Sequence, residues 1–308
     1  MGRATSAILL GSILALAGGW IALAGSTTPN DGDQSISKAG PLRYSSESRL
    51  ADSGEAQAGC GPLSRRLIGG GGAVSGIAAD SYLKAQSPRD MNIEPPAPDP
   101  DPDSHPDDGW GANGVGPPGS AVTSTAICRK GGAIKYRLKQ IQPNANDQAA
   151  GKVGCGGKRW HVTTGTPFVG TAGGWINSSH PYDGGDRGKA PDDGWKIRAY
   201  VPAGFPISVY AICARKVKLA YKRAKPVTLG TSQPGPSRTR TRSTGCGKGH
   251  AIGGGAKVSG FVNRGRLIAT APVDTGDPGK APDDRWRVQA HNLGGEPTKL
   301  KAFGICWR

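Results

Sequence analysis

A block of proline, two aspartates and a tryptophan occurs three times in this sequence, and each copy lies between two cysteines. The three copies are Pro106–Trp110, Pro191–Trp195 and Pro282–Trp286. The second and third tryptophans both follow a cysteine by 40 residues, from Cys155 to Trp195 and from Cys246 to Trp286. Repetition at a fixed spacing decides the architecture before any local pattern does, so we interpret the chain as three copies of one module.

The six cysteines fall two to a module, at its beginning and its end. Six cysteines allow 15 pairings, but the repeat selects one. The predicted bridges are Cys60–Cys128, Cys155–Cys213 and Cys246–Cys306. Modules of this size have marginal cores, and each bridge should contribute about 4 kcal/mol in the chain-entropy model. The alternative is reduced, buried cysteines in a cytosolic protein; metal binding is less favoured because no CxxC spacing occurs.

Apolar and polar residues alternate in runs typical of half-buried strands. Trp195, Ile197 and Ala199 fall on one face of such a run, and Ile207 to Cys213 repeat the pattern at the module's end. The 50 glycines and 25 prolines suit many short strands and loops. We therefore predict an all-β protein of three tandem antiparallel, sandwich-like modules with one internal disulfide each. They are expected either as beads in a row or packed together.

The N-terminus has the pattern of an export signal. Arg3 precedes the apolar stretch Ala7–Leu23, and Ala22-Leu23-Ala24 forms a small-x-small cleavage site. The sequence thus predicts a signal peptide over 1–24 and a secreted or cell-surface protein. The alternative is an uncleaved single-pass anchor, in which case the protein would contact a membrane.

The rest of the chain divides into a stalk and the modules. Residues 25–58 are predicted as a flexible stalk, apart from Leu42–Tyr44, which resembles the strands that precede the other repeats. Module 1 then covers 59–130 with an acidic Pro/Asp insertion, module 2 covers 131–214, and module 3 covers 215–308. Module 3 opens with a basic strand and a Pro/Ser-rich hinge, for which Ser232–Ser237 is the candidate.

The repeated aspartates offer the strongest candidate for a cofactor, which is calcium. Calcium takes six to eight oxygen ligands in flexible geometry. The candidate ligands are Asp183, Asp192, Asp193, Asp274, Asp283 and Asp284. The favoured interpretation is a turn, in which the proline fixes φ, an aspartate bonds its own backbone and the tryptophan enters the core. The acidic loop 94–108 carries Asp99, Asp101 and Asp103 at calcium-loop spacing, but its prolines favour an extended chain.

The net charge of +16 favours an anionic partner. Basic residues that alternate with apolar ones in two predicted strands are the candidate binding residues: Lys135, Arg137, Lys139, Lys216, Lys218, Lys222 and Arg223. An exported protein would meet acidic polysaccharide or a cell-envelope polymer. The alternative is that these cations only discourage edge-to-edge pairing of strands. A dedicated nucleic-acid reader is not expected, because no aromatic platform interleaves with these positions.

Enzymatic chemistry finds little support in the sequence. The five histidines are interpreted as occupying non-equivalent places in the repeats, and there is no Gly-x-Ser-x-Gly elbow. The glycine runs Gly69–Gly72 and Gly253–Gly255 lack the Gly-Lys-Ser/Thr ending of a phosphate loop and predict a bulge or strand bend. We expect a non-enzymatic binding or structural protein. The alternatives are a secreted hydrolase that uses the aspartate clusters, and a calcium-stabilised adhesin.

The pattern of a cysteine, the run Ile252–Ala256, a Pro-x-Asp element, a strand-opening tryptophan and an Ala-Ile-Cys ending resembles small secreted β-domains of uncharacterised bacterial surface proteins. More distantly, the three repeats resemble three-fold β-prism proteins of extracellular coats, in which three similar sheets close around a pseudo-symmetry axis. The resemblance implies an all-β fold and an extracellular location, and it implies no site residues.

Overall fold

The computed structural model describes residues 34–39, 42–61, 65–76, 80–90, 108–184, 190–231, 238–275 and 281–308, with the backbone alone for 34–39. The strands of the first module, preceded by β1, are β1 (Gln34–Ala39), β2 (Leu42–Leu50), β3 (Ala56–Gly59), β4 (Arg65–Val74), β5 (Tyr82–Arg89), β6 (Gly109–Val115) and β7 (Ala121–Lys130). Those of the second are β8 (Ala133–Ile141), β9 (Gln148–Gly154), β10 (His161–Phe168), β11 (Trp175–Tyr182), β12 (Gly194–Tyr200) and β13 (Ile207–Arg215). Those of the third are β14 (Leu219–Arg223), β15 (Val227–Leu229), β16 (Thr239–Gly245), β17 (His250–Val258), β18 (Gly265–Val273), β19 (Arg285–Asn292) and β20 (Thr298–Trp307). Two short 3-10 helices, Pro202–Gly204 and Val262–Arg264, complete the described part of the chain.

The strands form three open antiparallel sheets. Sheet A has the order β1-β2-β7-β4-β18-β19-β16, and sheet B has the order β3-β6-β5-β10-β13-β8. Sheet C has the order β14-β20-β17-β11-β12-β9, with β15 also paired to β20. The all-β, antiparallel fold predicted from the alternation is confirmed.

Each module divides its strands between two sheets, and each sheet is shared by two modules. Module 1 contributes three strands to sheet A and three to sheet B, module 2 joins sheets B and C, and module 3 joins sheets C and A. The sheets are continuous across the modules, through the pairs Phe168 with Ala85, Ser179 with Ala256 and Thr270 with Gly72. The modules are therefore interlocked around a pseudo-three-fold axis, and of the two predicted arrangements the packed one is correct.

Each module encloses one tryptophan and one disulfide. Trp110, Trp195 and Trp286 are fully buried, as the strand alternation predicts. The bridges Cys60–Cys128, Cys155–Cys213 and Cys246–Cys306 close loops of 68, 58 and 60 residues, which confirms the predicted pairing. The first cysteine of each pair directly follows a strand of one sheet (β3, β9 or β16), and the second lies in a strand of another sheet (β7, β13 or β20), so each disulfide fastens two sheets to each other.

The glycine runs lie where the modules meet at the pseudo-axis. The register of β4 shifts between Leu67 and Gly69, and that of β17 shifts between Ala251 and Gly253, so the predicted bulges are present. A Cβ atom at Gly253 would overlap the carbonyl oxygen of Thr163 in module 2. In the same way, a Cβ atom at Gly69 would overlap the carbonyl oxygen of Ile252 in module 3. Glycine is required here because two backbones approach closely.

A cycle of three tyrosines fastens each module to the next. Tyr44, Tyr136 and Tyr221 occupy equivalent positions, each opposite the isoleucine before a closing cysteine. The Tyr44 hydroxyl donates to the Ala251 carbonyl at 2.9 Å, the Tyr136 hydroxyl to Leu67 at 2.7 Å, and the Tyr221 hydroxyl to Val162 at 2.8 Å. Each acceptor lies beside a bulge in another module, so the three bonds run once around the pseudo-axis.

The structure differs from the predicted stalk over residues 34–58. Residues 34–39 and 42–50 form β1 and β2 at one edge of sheet A, and 56–59 form β3 in sheet B. Leu42 and Tyr44 are buried, and the polar composition that suggested a stalk belongs to an edge strand with many serines. The signal segment 1–24, the insertion Glu94–Asp103 and the hinge Ser232–Ser237 lie outside the described residues.

Candidate functional site: a cationic face on one sheet

The Pro-Asp-Asp blocks form turns that tie the beginning of a module to its tryptophan strand. The Asp193 carbonyl accepts a hydrogen bond from the Cys155 amide at 2.8 Å, and the Asp284 carbonyl accepts one from Cys246 at 2.9 Å. The side chain of the second aspartate also accepts from the backbone, because Thr275 N donates to Asp284 Oδ2 at 3.0 Å. In module 2 the Gly184 amide donates to Asp193 in the same way. Both side-chain bonds reach an amide nine residues earlier in the chain, whereas the turn interpretation predicted a bond to the aspartate's own backbone.

The first aspartate of two blocks pairs with a histidine. His161 Nδ1 lies 2.6 Å from Asp192 Oδ2, and His250 Nδ1 contacts Asp283 Oδ2. The two histidines each begin an equivalent strand, β10 or β17, so the prediction that no histidines occupy equivalent places is wrong. Counting from the cysteines obscured the equivalence, because the segment after Cys155 is two residues longer than that after Cys246.

The calcium candidates are engaged within their own modules. Asp192, Asp193, Asp283 and Asp284 hold a histidine or a backbone amide. Asp183 and Asp274 also have partners. Among the described residues, no three or more histidine, cysteine, aspartate or glutamate side chains lie together as a metal site would require. What these carboxylates do in the structure is close turns.

The predicted basic residues lie at two separate sheet edges. Lys135, Arg137 and Lys139 belong to β8, the last strand of sheet B. Lys222 and Arg223 belong to β14 at one edge of sheet C, and Lys216 and Lys218 lie in the preceding connection. The two groups approach each other at one end of β8, where Ala133 pairs with Arg215, the residue before Lys216. Lys135 is partly occupied, since its Nζ lies 3.4 Å from the Cys155 carbonyl and 5.3 Å from the Trp160 ring centroid.

The apolar face of β8 packs against a neighbouring module, not against its own core. Lys139, Arg137 and Lys135 are in register with the buried Val209, Ala211 and Cys213. The other face carries Tyr136, which bonds to module 1. β8 is an edge strand that extends beyond the core of its own module. Its cations therefore reach solvent, although they lie on the same side of the sheet as core residues.

A more compact group of cations lies across sheet C. Lys257 in β17 is opposite Lys301 in β20, and Lys196 in β12 is opposite Lys152 in β9. His180 in β11, opposite Lys196, lies between the two pairs. The side chains of antiparallel partners point to the same side of a sheet, so these residues share one surface. We name the surface formed by Lys152, His180, Lys196, Lys257 and Lys301 the cationic face.

Aromatic rings lie among the lysines of the cationic face. Phe303 stacks on His180, with ring centroids 4.9 Å apart and an interplanar angle of 13°. Lys301 Nζ lies 5.5 Å from the centroid of Phe303. At the other side, Lys152 Nζ lies 5.4 Å from the centroid of Tyr182. Phe303 is buried, whereas Tyr182 is partly exposed, so the cationic face offers a partner one aromatic ring beside a lysine.

The electrostatics of the cationic face are those of uncompensated positive charge. Burial, followed by the charges of Lys257, Lys196 and Lys301, lowers the pKa of His180 to about 4, against the effect of its bond to the Pro181 carbonyl. His180 is therefore neutral at pH 7. Not one of the seven strands of sheet C contains an aspartate or glutamate. The lysines thus have no carboxylate among their strand neighbours.

The fold does not require these cations. Because the sheets are built from equivalent strands, each lysine has a counterpart at the same register position in the other two sheets. In sheet B the counterparts of Lys152, Lys196, Lys257 and Lys301 are Gln57, Gly111, Phe168 and Ser208. In sheet A they are Ser243, Arg287, Ala73 and Thr123. Seven of these eight counterparts are uncharged.

Sequence reasoning missed the cationic face because its members are far apart along the chain. Lys152 and Lys301 come from different modules, and Lys152 is the single cation of its strand. The signal that could have found them is the repeat itself: an alignment of the modules shows lysine where the other copies have small or neutral residues. The sequence did not predict that strands of two modules join in one sheet.

Comparisons with known proteins add no relative. A scan of protein-family models found no match, and a search of the curated proteins found none either. Within the ranges given above, the chain has no helix with the length and apolar character needed to span a membrane. The three disulfides are those of a protein that folds in an oxidising environment.

Proposed function

We propose that the protein is an exported, non-enzymatic binding protein whose cationic face binds an anionic polysaccharide of the cell surface or its surroundings. The observation that carries this proposal is the set of four lysines at positions where the equivalent sheets have mostly neutral residues. The fold does not need these cations, and two modules contribute them to one surface. A partner outside the molecule is therefore the best explanation for them.

The dimensions of the cationic face suit an extended chain. Lys152 and Lys301 lie on the first and last of five neighbouring strands, in the order β9-β12-β11-β17-β20. At the usual strand spacing, the distance from the first strand to the last is about 19 Å. The two lysine pairs lie on either side of β11. A linear polymer with a charge on each repeating unit could contact both pairs at once, and one of its rings could lie against the partly exposed Tyr182.

Export is supported by two independent features. Disulfides persist in oxidising compartments, and this chain has three with none of its six cysteines left free. The N-terminal segment has the order of a charged residue, an apolar run and a small-x-small site that secretory signals share. Together they support a binding partner outside the cytosol, where acidic polysaccharides and cell-envelope polymers occur.

The proposal is tested by binding of the full mature chain to polygalacturonate, with dextran as a neutral polysaccharide and duplex DNA as a phosphate polyanion. The test variant is Lys152→Gln/Lys196→Gln/Lys257→Gln. The matched control is Arg240→Gln/Arg285→Gln/Arg287→Gln, which removes three exposed cations from sheet A. Affinity should be measured at low and at physiological salt, because exposed charges are screened within about 10 Å at 0.1 M.

We expect the test variant to lose at least tenfold in affinity for polygalacturonate and the control to lose less than threefold. Binding of the parent protein should weaken with salt, and dextran should not bind. Equal losses in the two variants would show that only net charge matters and would refute a dedicated face. A preference for DNA over polygalacturonate would replace the polysaccharide by a nucleic acid as the partner.

A hydrolase is the alternative that one observation favours. The His161–Asp192 pair borders a cleft of about 390 Å³ that Lys218, Tyr221 and Arg308 also line. Asp192→Asn and Asp283→Asn should be assayed for release of sugar from the same polysaccharides. Turnover by the parent protein that either substitution abolishes would establish an enzyme, whereas a lower melting temperature without any turnover agrees with a turn-closing role.

A further inference from the structure

The three modules meet at one end of the pseudo-axis in a group of side chains that breaks the three-fold pattern. Tyr82, Trp175 and Arg266 are equivalent residues, each placed just before the bulge of β5, β11 or β18. These three strands contact one another. The three modules thus have three different side chains at this equivalent position, and these side chains meet in one group.

Aromatic stacking defines the geometry of this group. Trp175 stacks on Tyr200 with ring centroids 4.3 Å apart, and the edge of Tyr82 meets Trp175 at 6.3 Å. The guanidinium carbon of Arg266 lies 4.9 Å from the centroid of Tyr82. All three aromatic side chains are partly exposed. We name Tyr82, Trp175, Tyr200 and Arg266 the axial cluster.

Arg266 carries a buried charge that is only weakly compensated. It is 8% exposed, and its nearest carboxylate, Asp80, lies 3.9 Å from Nη2 with a side chain that is 88% exposed. Its Nε has no hydrogen-bond acceptor in the described part of the chain. Burial lowers the pKa of Arg266 below its usual value, which reflects the cost of holding a guanidinium away from water. Contact with the Tyr82 ring offsets only part of this cost.

The other polar groups around Arg266 add donors and no negative charge. His291 is its register partner in β19, and His291 Nδ1 lies 2.8 Å from Thr239 Oγ1. Burial, followed by Arg266 and Arg238, lowers the pKa of His291. Trp175 Nε1 is another buried donor without an acceptor among the described residues. The axial cluster therefore combines unsatisfied donors with a positive charge beside partly exposed rings.

We propose that the axial cluster binds a single acidic sugar unit, with Arg266 pairing the carboxylate and the rings of Tyr82 and Trp175 contacting the apolar face of the sugar. A carboxylate matches the planar guanidinium and supplies the acceptors that the cluster lacks. The aromatic rings provide the flat apolar surface on which a small ligand is positioned. The choice of an acidic saccharide rests on the proposed function, since it would be a unit or end of the same polymer.

The probe is methyl α-galacturonide, compared with methyl α-galactoside, which lacks the carboxylate, and with sodium acetate, which lacks the ring. Binding to the full mature chain is followed by ligand-observed NMR and by titration calorimetry. Galacturonide should bind at least tenfold more tightly than either comparison ligand. Equal affinity for the galactoside would overturn the role of Arg266, and equal affinity for acetate would overturn the role of the rings.

Three variants assign the site. Arg266→Gln should weaken galacturonide binding at least tenfold, whereas Arg287→Gln, which removes an exposed cation from the neighbouring strand β19, should change it less than twofold. Tyr82→Ala tests the ring contact independently, and it replaces Arg266→Gln as the test variant if the Arg266→Gln protein does not fold. Unchanged binding in a folded Arg266→Gln protein would refute the proposal.

The lysine variant of the cationic face separates the two proposals. Lys152→Gln/Lys196→Gln/Lys257→Gln should bind the monosaccharide with unchanged affinity while losing the polymer. If the parent protein binds galacturonide but no polymer, the proposed function fails and the axial site stands. If it binds the polymer through the lysines but no galacturonide, the axial site fails and the proposed function stands.

Discussion

Sheets B and C are built from equivalent strands in the same register, yet their corresponding faces differ in charge. Where sheet C has four lysines with His180 among them, sheet B has a glutamine, a glycine, a phenylalanine and two serines, at Gln57, Gly111, Phe168, Ser208 and Ser87. The features that the sheets share are the buried tryptophans, the bulges and the cross-module tyrosines. The comparison separates the residues that make the fold from those available for function.

The shared features should carry the largest effects on stability, beginning with the glycines at the pseudo-axis. Gly253→Ala places a Cβ against the backbone oxygen of Thr163, and neither β17 nor β10 can move without disturbing a module boundary. Overpacking of this kind costs about 3 kcal/mol or more. Denaturant unfolding should show this loss, or the variant should fail to fold.

Gly295→Ala is the matched control for Gly253→Ala. Gly295 lies in the β19–β20 connection, and a Cβ there meets no atom within 4 Å. Its free energy of unfolding should change by less than about 0.5 kcal/mol. If both alanine variants were equally stable, the glycines would not be needed for the approach of the modules.

These axial contacts show where sequence reasoning about the fold reached its limit. The repeat fixed the disulfide pairing, and the alternation located the strands around Trp195 and Cys213. Neither pattern says that β10 and β17 cross at Thr163 and Gly253, since that contact joins two modules far apart in sequence. The run of Gly69–Gly72 predicted a bulge or strand bend, but the close approach of a second backbone came only from the three-dimensional arrangement.

His180 should produce the next largest effect, and it tests the difference between the sheets directly. Its pKa falls from 6.5 to about 4 on folding, so the folded protein disfavours the protonated ring. The stability that depends on neutral His180 is fully present above pH 6.5 and is lost as the pH falls from 6.5 to 4. The total loss is about 3–4 kcal/mol, since each pKa unit corresponds to about 1.36 kcal/mol.

The comparison variant is His180→Ser, which places in sheet C the residue that sheet B has at Ser87. Unfolding should be measured between pH 7.5 and 3.5 for both proteins, and the difference between the two curves isolates His180 from the carboxylates that titrate in the same range. Parallel curves across this window would mean that the stacked imidazole is not desolvated by its surroundings. A parent protein that gained stability relative to His180→Ser as the pH fell from 6.5 to 4 would have the wrong sign.

The three cross-module tyrosines should give smaller and nearly equal effects. Each of Tyr44→Phe, Tyr136→Phe and Tyr221→Phe removes one hydrogen bond to a carbonyl beside a bulge. A loss of about 1–1.5 kcal/mol is expected for each, because the acceptor is left without its partner. The control is Tyr200→Phe, whose ring stacks on Trp175. A cost in only one of the three variants would contradict an equivalent role around the axis.

The candidate site was less predictable than the fold, for a reason that the lysines illustrate. Lys135 and Lys139 alternate visibly within one strand, and such local patterns led to the edges of sheets B and C. Lys257 and Lys301 form a pair only because β17 and β20 are neighbours, and Lys196 joins them only through β11. Local alternation shows how a strand divides between two faces, whereas a surface that crosses two modules depends on the order of strands in the sheet.

The smallest expected effect on stability is that of removing the lysines themselves. Lys152→Gln/Lys196→Gln/Lys257→Gln takes three exposed cations from a surface without strand carboxylates, so no ion pair of these strands is broken. Exposed substitutions of this kind change the free energy of unfolding by about 0.5 kcal/mol or less, and relief of like-charge repulsion should make the change stabilising. Chemical denaturation at low and high salt measures it, since repulsion is screened and the difference should disappear in high salt. A large loss of stability would show that sheet C needs its lysines to fold, and the contrast with Gln57, Gly111 and Phe168 in sheet B would then reflect a structural need of one sheet, with no bearing on a partner.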